Sequence, residues 1–229
     1  MIMKRVLIVD GSIFPDIYRP AEHWRGLLGD VGSDAIHLPS GEPVPSLDDY
    51  SHLIITGSEA SVVANNEWFN VEEQVIREAF EQRKPILGSC FGHQMLARAV
   101  SGKEFVRRSS NPEFGWTSIE VTGEDELFNG LKNPFSVFVS HFDEVCDPPP
   151  PWRVTGKNEF CAVHLMQYAD RPVWGIQSHP EITPENGRIL LEGLAAKVPD
   201  QSDQIQTALE QKPSDDRIAS EIVHRFLNT

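Results

Sequence analysis

Pro85-Ile86-Leu87-Gly88-Ser89-Cys90-Phe91-Gly92-His93-Gln94 joins a short apolar run to an amphipathic one, and the reading of the whole chain turns on that junction. Residues 85–88 are apolar and bounded, as a strand buried on both faces is, and residues 91–100 have helical spacing. Between them Gly88-Ser89-Cys90-Phe91-Gly92 has the spacing of a nucleophile elbow with Cys in the place of Ser. A tight strand-to-helix turn presses backbone against backbone, so side chains at Gly88 and Gly92 would collide and Cys90 is thrust out at the tip. Its sulfur then faces a helix start, where unpaired N–H groups favour thiolate over thiol and the N–H of Phe91 is available to a developing oxyanion. The plainer alternative is a small buried apolar cysteine.

Working outward, residues 4–9 and 52–56 read as buried strands, and 21–31 and 67–83 as helices. That alternation predicts an α/β fold whose parallel sheet is covered on both faces, with active groups at the carboxyl ends of strands. Beyond Gly102 the rhythm changes. Residues 104–108, 116–121, 135–139, 152–155 and 161–168 are strand-like with little helix between them, which predicts a small antiparallel extension. A strand over 173–177 and a helix over 184–196 complete a domain spanning 1–196. Residues 197–229 read as a polar linker followed by a helix over 215–227, docked through Ile218, Ile222, Val223 and Phe226. The proline run 148–151 predicts a stiff extended connector.

The chain has 229 residues, which favours one domain with a small appendage. Against 20 Lys and Arg stand 34 Asp and Glu, for a net charge of −14. Such a field repels phosphate backbones and anionic lipid, so neither nucleic acid nor a membrane surface is expected as a main partner. Val6-Leu7-Ile8-Val9 is far shorter than the roughly 20 residues that span a bilayer. With no signal-peptide pattern and only Cys90, Cys146 and Cys161, widely spaced, a reducing cytoplasm is the expected compartment. Cys90-x-x-His93 has a spacing found in zinc sites, but no second paired cluster is evident near Cys146, Cys161, His141 or His164, so no metal or other cofactor is expected.

A thiol nucleophile wants a base, and the base wants an orienting carboxylate. Ser178-His179-Pro180-Glu181 supplies both at the end of the 173–177 strand, on the same sheet edge as Cys90 if the two strands run parallel. Pro180 restricts His179 to an extended backbone and fixes ring and carboxylate relative to each other.

Taken together, the elbow and Trp174-Gly175-Ile176-Gln177-Ser178-His179-Pro180-Glu181, with Glu113-Phe114-Gly115-Trp116 and Ser140-His141-Phe142-Asp143 between them, resemble a class I glutamine amidotransferase. Within that family the chain is most similar to GMP synthase glutaminase domains and their stand-alone relatives. The resemblance implies a three-layer flavodoxin-like sandwich with a mostly parallel central sheet. It implies Cys90 as nucleophile, His179 as base and later acid, and Glu181 as orienter of His179. It further implies Gln94 and the Ser140-His141-Phe142 stretch as contacts to the amino acid end of the substrate. Ser58, in Thr56-Gly57-Ser58-Glu59, would share the oxyanion with Phe91, although Gly57 stands beside it and the stretch departs from the Gly-Gly-Pro form usual in GMP synthases.

The implied reaction is hydrolysis of the glutamine side-chain amide through a γ-glutamyl thioester, giving glutamate and ammonia. After residue 196 there is room for little beyond a linker and a helix, so a synthetase accepting the ammonia is expected on a separate polypeptide. Two other functions stay open on the sequence: a γ-glutamyl peptidase acting on glutathione-like compounds, and a catalytically silent binding protein.

Overall fold

The structure is a computed structural model and describes residues 4–169 and 171–229. Its sheet is mixed and has nine strands: β1 (Arg5–Asp10), β2 (Gly32–His37), β3 (His52–Ile55), β4 (Ile86–Ser89), β5 (Val106–Val121), β6 (Phe135–Val145), β7 (Trp152–Lys157), β8 (Leu165–Tyr168) and β9 (Val173–Ile176). In space the order is β2-β1-β3-β4-β9-β8-β7-β5-β6. Every pairing from β2 to β9 is parallel, and every pairing from β9 to β6 is antiparallel. The helices are α1 (Pro20–Leu28), α2 (Glu67–Glu81), α3 (Phe91–Val100), α4 (Pro184–Lys197), α5 (Ser202–Glu210) and α6 (Ala219–Phe226).

Successive side chains of a strand point to opposite faces, and β1 shows both faces in use. Leu7 and Val9 pack with Phe69 and Ile76 of α2 and Met95 of α3, while Val6 and Ile8 pack with Trp24 of α1 and Ile222 and Phe226 of α6. A strand buried on both sides carries no polar alternation, which is why β1, β3 and β4 read as plain apolar runs. A third cluster joins Leu190, Leu191 and Leu194 of α4 to Ile205 and Ala208 of α5, with Phe138 of β6 and Tyr18.

The antiparallel part is larger than the small extension expected from sequence. From Val106 on, the two stretches read at 104–108 and 116–121 belong to one strand, β5, of 16 residues, whose pairing with β6 breaks register between Arg108 and Glu113. Pro112 sits in that break, and a residue without an N–H is tolerated where the ladder is interrupted. Two elements were not foreseen. β2, Gly-Ser-Asp-Ala-Ile-His, is an edge strand and mostly half exposed, so it has no apolar signature. α5 occupies part of the segment read as a linker, and its buried face is only Ile205 and Ala208. The proline run 148–151 closes a turn in place of an extended connector: the N–H of Trp152 donates to the Pro149 carbonyl at 3.1 Å, and a fixed φ suits turns as well as extended chain. Among the described residues no helix is long and apolar enough to cross a membrane.

Candidate active site

The adjacency β3-β4-β9 brings three strand ends to one edge of the sheet: Thr56 to Ser58 after β3, Cys90 after β4, and Gln177 to Glu181 after β9. Cys90 itself has φ +49°, a left-handed conformation that a side chain tolerates only under constraint. The constraint is visible. The N–H of Cys90 donates to the Ile176 carbonyl at 2.8 Å and that of Gly92 to the Thr56 carbonyl at 3.0 Å, so the elbow is tied to both neighbouring strands. A Cβ on Gly88 would lie 2.6 Å from the Gly92 carbonyl oxygen, the collision that the spacing of the two glycines predicted.

His179 is held by its backbone N–H, which donates to the Phe138 carbonyl at 2.8 Å, so β6 as well as β9 fixes it. Its Nδ1 lies 2.8 Å from Glu181 Oε1, and the ring lines the same pocket as Cys90. With Nδ1 committed to the carboxylate, Nε2 is the nitrogen left for sulfur. Burial alone would lower the His179 pKa, but Cys90 on one side and Glu181 on the other overcome it and raise the pKa above the ordinary value. Burial would likewise raise Glu181. The charge of His179 and hydrogen bonds from His179 and Tyr18 keep its carboxylate ionised, below the ordinary value.

Tyr18, from the loop between β1 and α1, is a participant that sequence reasoning missed. Its hydroxyl donates to Glu181 Oε1 at 2.8 Å and lies 3.2 Å from His179 Nδ1. Burial first, then Glu181, raises its pKa well above the ordinary phenol, so it remains a donor. Ser89 donates to the other carboxylate oxygen, Glu181 Oε2, at 3.3 Å. Gly57 packs so closely here that a Cβ would sit 2.6 Å from His179 Cε1 and 2.7 Å from the Tyr18 hydroxyl.

The remaining residues singled out from sequence surround the sulfur. Phe91 is the first residue of α3, so its N–H has no acceptor within the helix, while its ring packs on Trp68 and Phe69. The Gly57 carbonyl accepts from Thr56 Oγ1 at 2.9 Å, which turns the N–H of Ser58, trans across the same peptide, the opposite way. Ser58, Gln94, Ser140, His141 and Phe142 all line one pocket with Cys90 and His179, and Leu190 and Leu194 of α4 cover it. The sulfur lies 3.6 Å from the Ser140 carbonyl oxygen and 3.7 Å from Gln177 Nε2. Gln94 Nε2 donates to the Asp143 carbonyl at 2.7 Å and to Gln177 Oε1 at 3.2 Å. Asp143 in turn clips the two pocket walls together, its Oδ2 accepting from Ser61 Oγ at 2.6 Å and the Val62 N–H at 2.8 Å. Glu59, on the same wall, takes the Ile13 N–H at 2.8 Å on Oε2, and its buried Oε1 has no partner.

His93 does not join Cys90. Its ring packs under Gly175, and burial, with His164 and His141 nearby, pushes its pKa down to about 3. The expectation that no second cluster of ligand types gathers is corrected here. Glu113, His141, Cys161 and His164 are all buried and offer atoms within 4.8 Å of one another. Pairing of β5 with β6 sets Glu113 opposite His141, a relation that depends on strand register and not on sequence spacing.

An elbow cysteine, a strand-end histidine and a glutamate two residues on converge at one edge of an α/β sheet. The chain belongs to the class I glutamine amidotransferases: the model of the family Glutamine amidotransferase class-I matches residues 31–194. It is 35% identical over 175 residues to a glutamine-hydrolyzing GMP synthase subunit of Pyrococcus abyssi, covering 75% of this chain and 89% of that one. To the protein of the same description from Sulfurisphaera tokodaii it is 33% identical over 153 residues, covering 66% and 78%. A solved glutamine amidotransferase of Thermotoga maritima superposes with a TM-score of 0.82 at 21% identity over 99% of both chains, a likeness of fold.

Proposed function

We propose that this protein hydrolyses the side-chain amide of glutamine through a thioester on Cys90. His179 holds the proton of Cys90, and the resulting thiolate attacks the γ-carbonyl carbon. The backbone N–H groups of Phe91 and Ser58 take the oxyanion. His179 then gives its proton to the leaving nitrogen, ammonia departs, and a γ-glutamyl thioester remains. Water, deprotonated by His179, attacks that thioester, and the thiolate leaves as glutamate forms. Glu181 keeps the imidazolium oriented throughout, with Tyr18 and Ser89 holding the carboxylate. The observation that carries this reading is His179, hydrogen-bonded to Glu181 through Nδ1 and lining one pocket with Cys90.

Glu59, an acidic wall residue with a free buried oxygen, complements the α-ammonium group of a γ-glutamyl substrate. The pocket beside the sulfur, between Phe142 and Leu190 and Leu194 of α4, is where the γ-amide would sit. The description of the relatives as subunits supports a separate synthetase partner that accepts the ammonia. The domain reading goes with it: residues 1–196 form the flavodoxin-like amidotransferase unit and 197–229 cap it. Free thiols at Cys90, Cys146 and Cys161 suit a reducing cytoplasm.

Purified Cys90→Ala should release neither glutamate nor ammonia from glutamine while keeping its circular dichroism. Undiminished turnover in that variant removes the mechanism. Faster cleavage of γ-glutamyl peptides than of glutamine would move the assignment to a γ-glutamyl peptidase on the same thiol chemistry.

A further inference from the structure

We propose that Glu113, His141, Cys161 and His164 form a structural zinc site, separate from the catalytic thiol. The ligands come from three segments: Glu113 from β5, His141 from β6, and Cys161 and His164 from the turn before β8. One thiolate, two imidazoles and one carboxylate make a four-ligand set that suits zinc, and four protein donors leave no position open for water, which marks a structural role. Zinc bonds of about 2.0–2.3 Å set neighbouring ligand atoms roughly 3.3–3.8 Å apart in a tetrahedron. Here Glu113 Oε2 is 3.1 Å from His141 Nε2 and 3.0 Å from His164 Nε2, and no pair in the group exceeds 4.8 Å.

Hydrogen-bond accounting points the same way. His141 Nδ1 faces the Asp143 carbonyl at 3.1 Å, which only accepts, so the ring can donate there and still present Nε2 to a metal beside Glu113 Oε2. The same Glu113 oxygen also faces His164 Nε2 at 3.0 Å, so one carboxylate oxygen and two imidazole nitrogens converge on one buried point. The surrounding contacts are those that orient metal ligands. His141 keeps its Nδ1–H on the Asp143 carbonyl, and Glu113 Oε1 accepts from Asn158 Nδ2 at 2.6 Å. Asn158 also shapes the Cys161 turn, its Oδ1 accepting the Cys161 N–H at 2.7 Å.

Binding replaces the proton of the Cys161 thiol with zinc and releases it to solvent; no electrons move. The site fastens the stretch Ser140 to Asp143, one wall of the catalytic pocket, because the Asp143 carbonyl receives both His141 and Gln94. The test is metal analysis of untagged full-length protein produced with added zinc and desalted under reducing conditions. Wild type and Cys90→Ala should each hold about one zinc per chain, and Cys161→Ser and His164→Gln should fall to background. Cobalt-substituted wild type should show the strong visible bands of a tetrahedral ion and a thiolate charge-transfer band. Wild type that takes up neither metal overturns the proposal, as does zinc that is lost in Cys90→Ala and kept in Cys161→Ser. If Cys161→Ser does not fold, the wild-type cobalt spectrum decides: weak octahedral bands without thiolate charge transfer contradict the site.

Discussion

Two buried clusters in this protein contain the same kinds of side chain and hold them in opposite states. At the sheet edge, one imidazole stands between Cys90 and Glu181, and against burial these two neighbours raise the histidine pKa. In the other cluster, two imidazoles share the single carboxylate of Glu113. Burial there pushes the Cys161 thiol up to about 12 and lowers His164, while hydrogen bonds from the two rings override burial and hold Glu113 well below the usual carboxylate range. Cys90 sits at a helix start with a pocket beside it, whereas Cys161 is sealed within the strands. Under the proposed mechanism, access and the order of its neighbours decide which cysteine acts as nucleophile, not the mere presence of a histidine and a glutamate nearby.

The comparison breaks most visibly by exchanging the two thiols for alanine. Cys90→Ala should lower kcat for glutamine by roughly 10³-fold or more, the scale on which removing a covalent nucleophile acts. Cys161→Ala should retain turnover within about tenfold, measured as ammonia release, because its sulfur touches no reacting atom. Equal losses from both would erase the distinction drawn between the clusters.

Why one cluster could be read from sequence and the other could not follows from how each is built. Cys90, His179 and Glu181 each follow a short strand buried on both faces, and parallel neighbours carry their ends to one edge. Local spacing therefore fixed their place. The second cluster depends on Glu113 meeting His141 across an antiparallel ladder with a break in register, which no local pattern encodes. Tyr18 was hidden for a similar reason: it lies in a loop between β1 and α1, with no periodicity to mark its inward turn. β2 and α5 escaped because an edge strand and a helix with two buried side chains carry little apolar signal.

The pairing of His179 with Glu181 also leaves a mark on stability. Because the folded pKa of His179 is raised, its contribution to folding is fully present below about 6.5 and is lost as pH climbs through the raised value. Glu181 is depressed, so its contribution is present above about 4.3 and is lost as pH falls through the depressed value. Urea unfolding should therefore show wild type losing more stability than His179→Asn between neutral and alkaline pH. Identical slopes would mean that the imidazolium is not held by its two neighbours.

A smaller effect is expected from Tyr18→Phe, which removes one hydrogen bond to Glu181 and leaves the ring in place. As a positioning residue it should cost kcat about 10–150-fold with little change in KM, on the scale of one hydrogen bond to a charged group. The lower limb of the kcat pH profile should also move upward, since Glu181 loses a donor that favours its ionised form. A change in KM alone would place Tyr18 with the substrate instead.

The most direct measurement is peptide mapping by mass spectrometry after reaction with an electrophilic glutamine analogue. The account predicts one adduct, on Cys90, formed at neutral pH, slowed by glutamine and abolished in His179→Asn. An adduct on Cys146 or Cys161, or an unmodified Cys90 in the folded wild type, would contradict it.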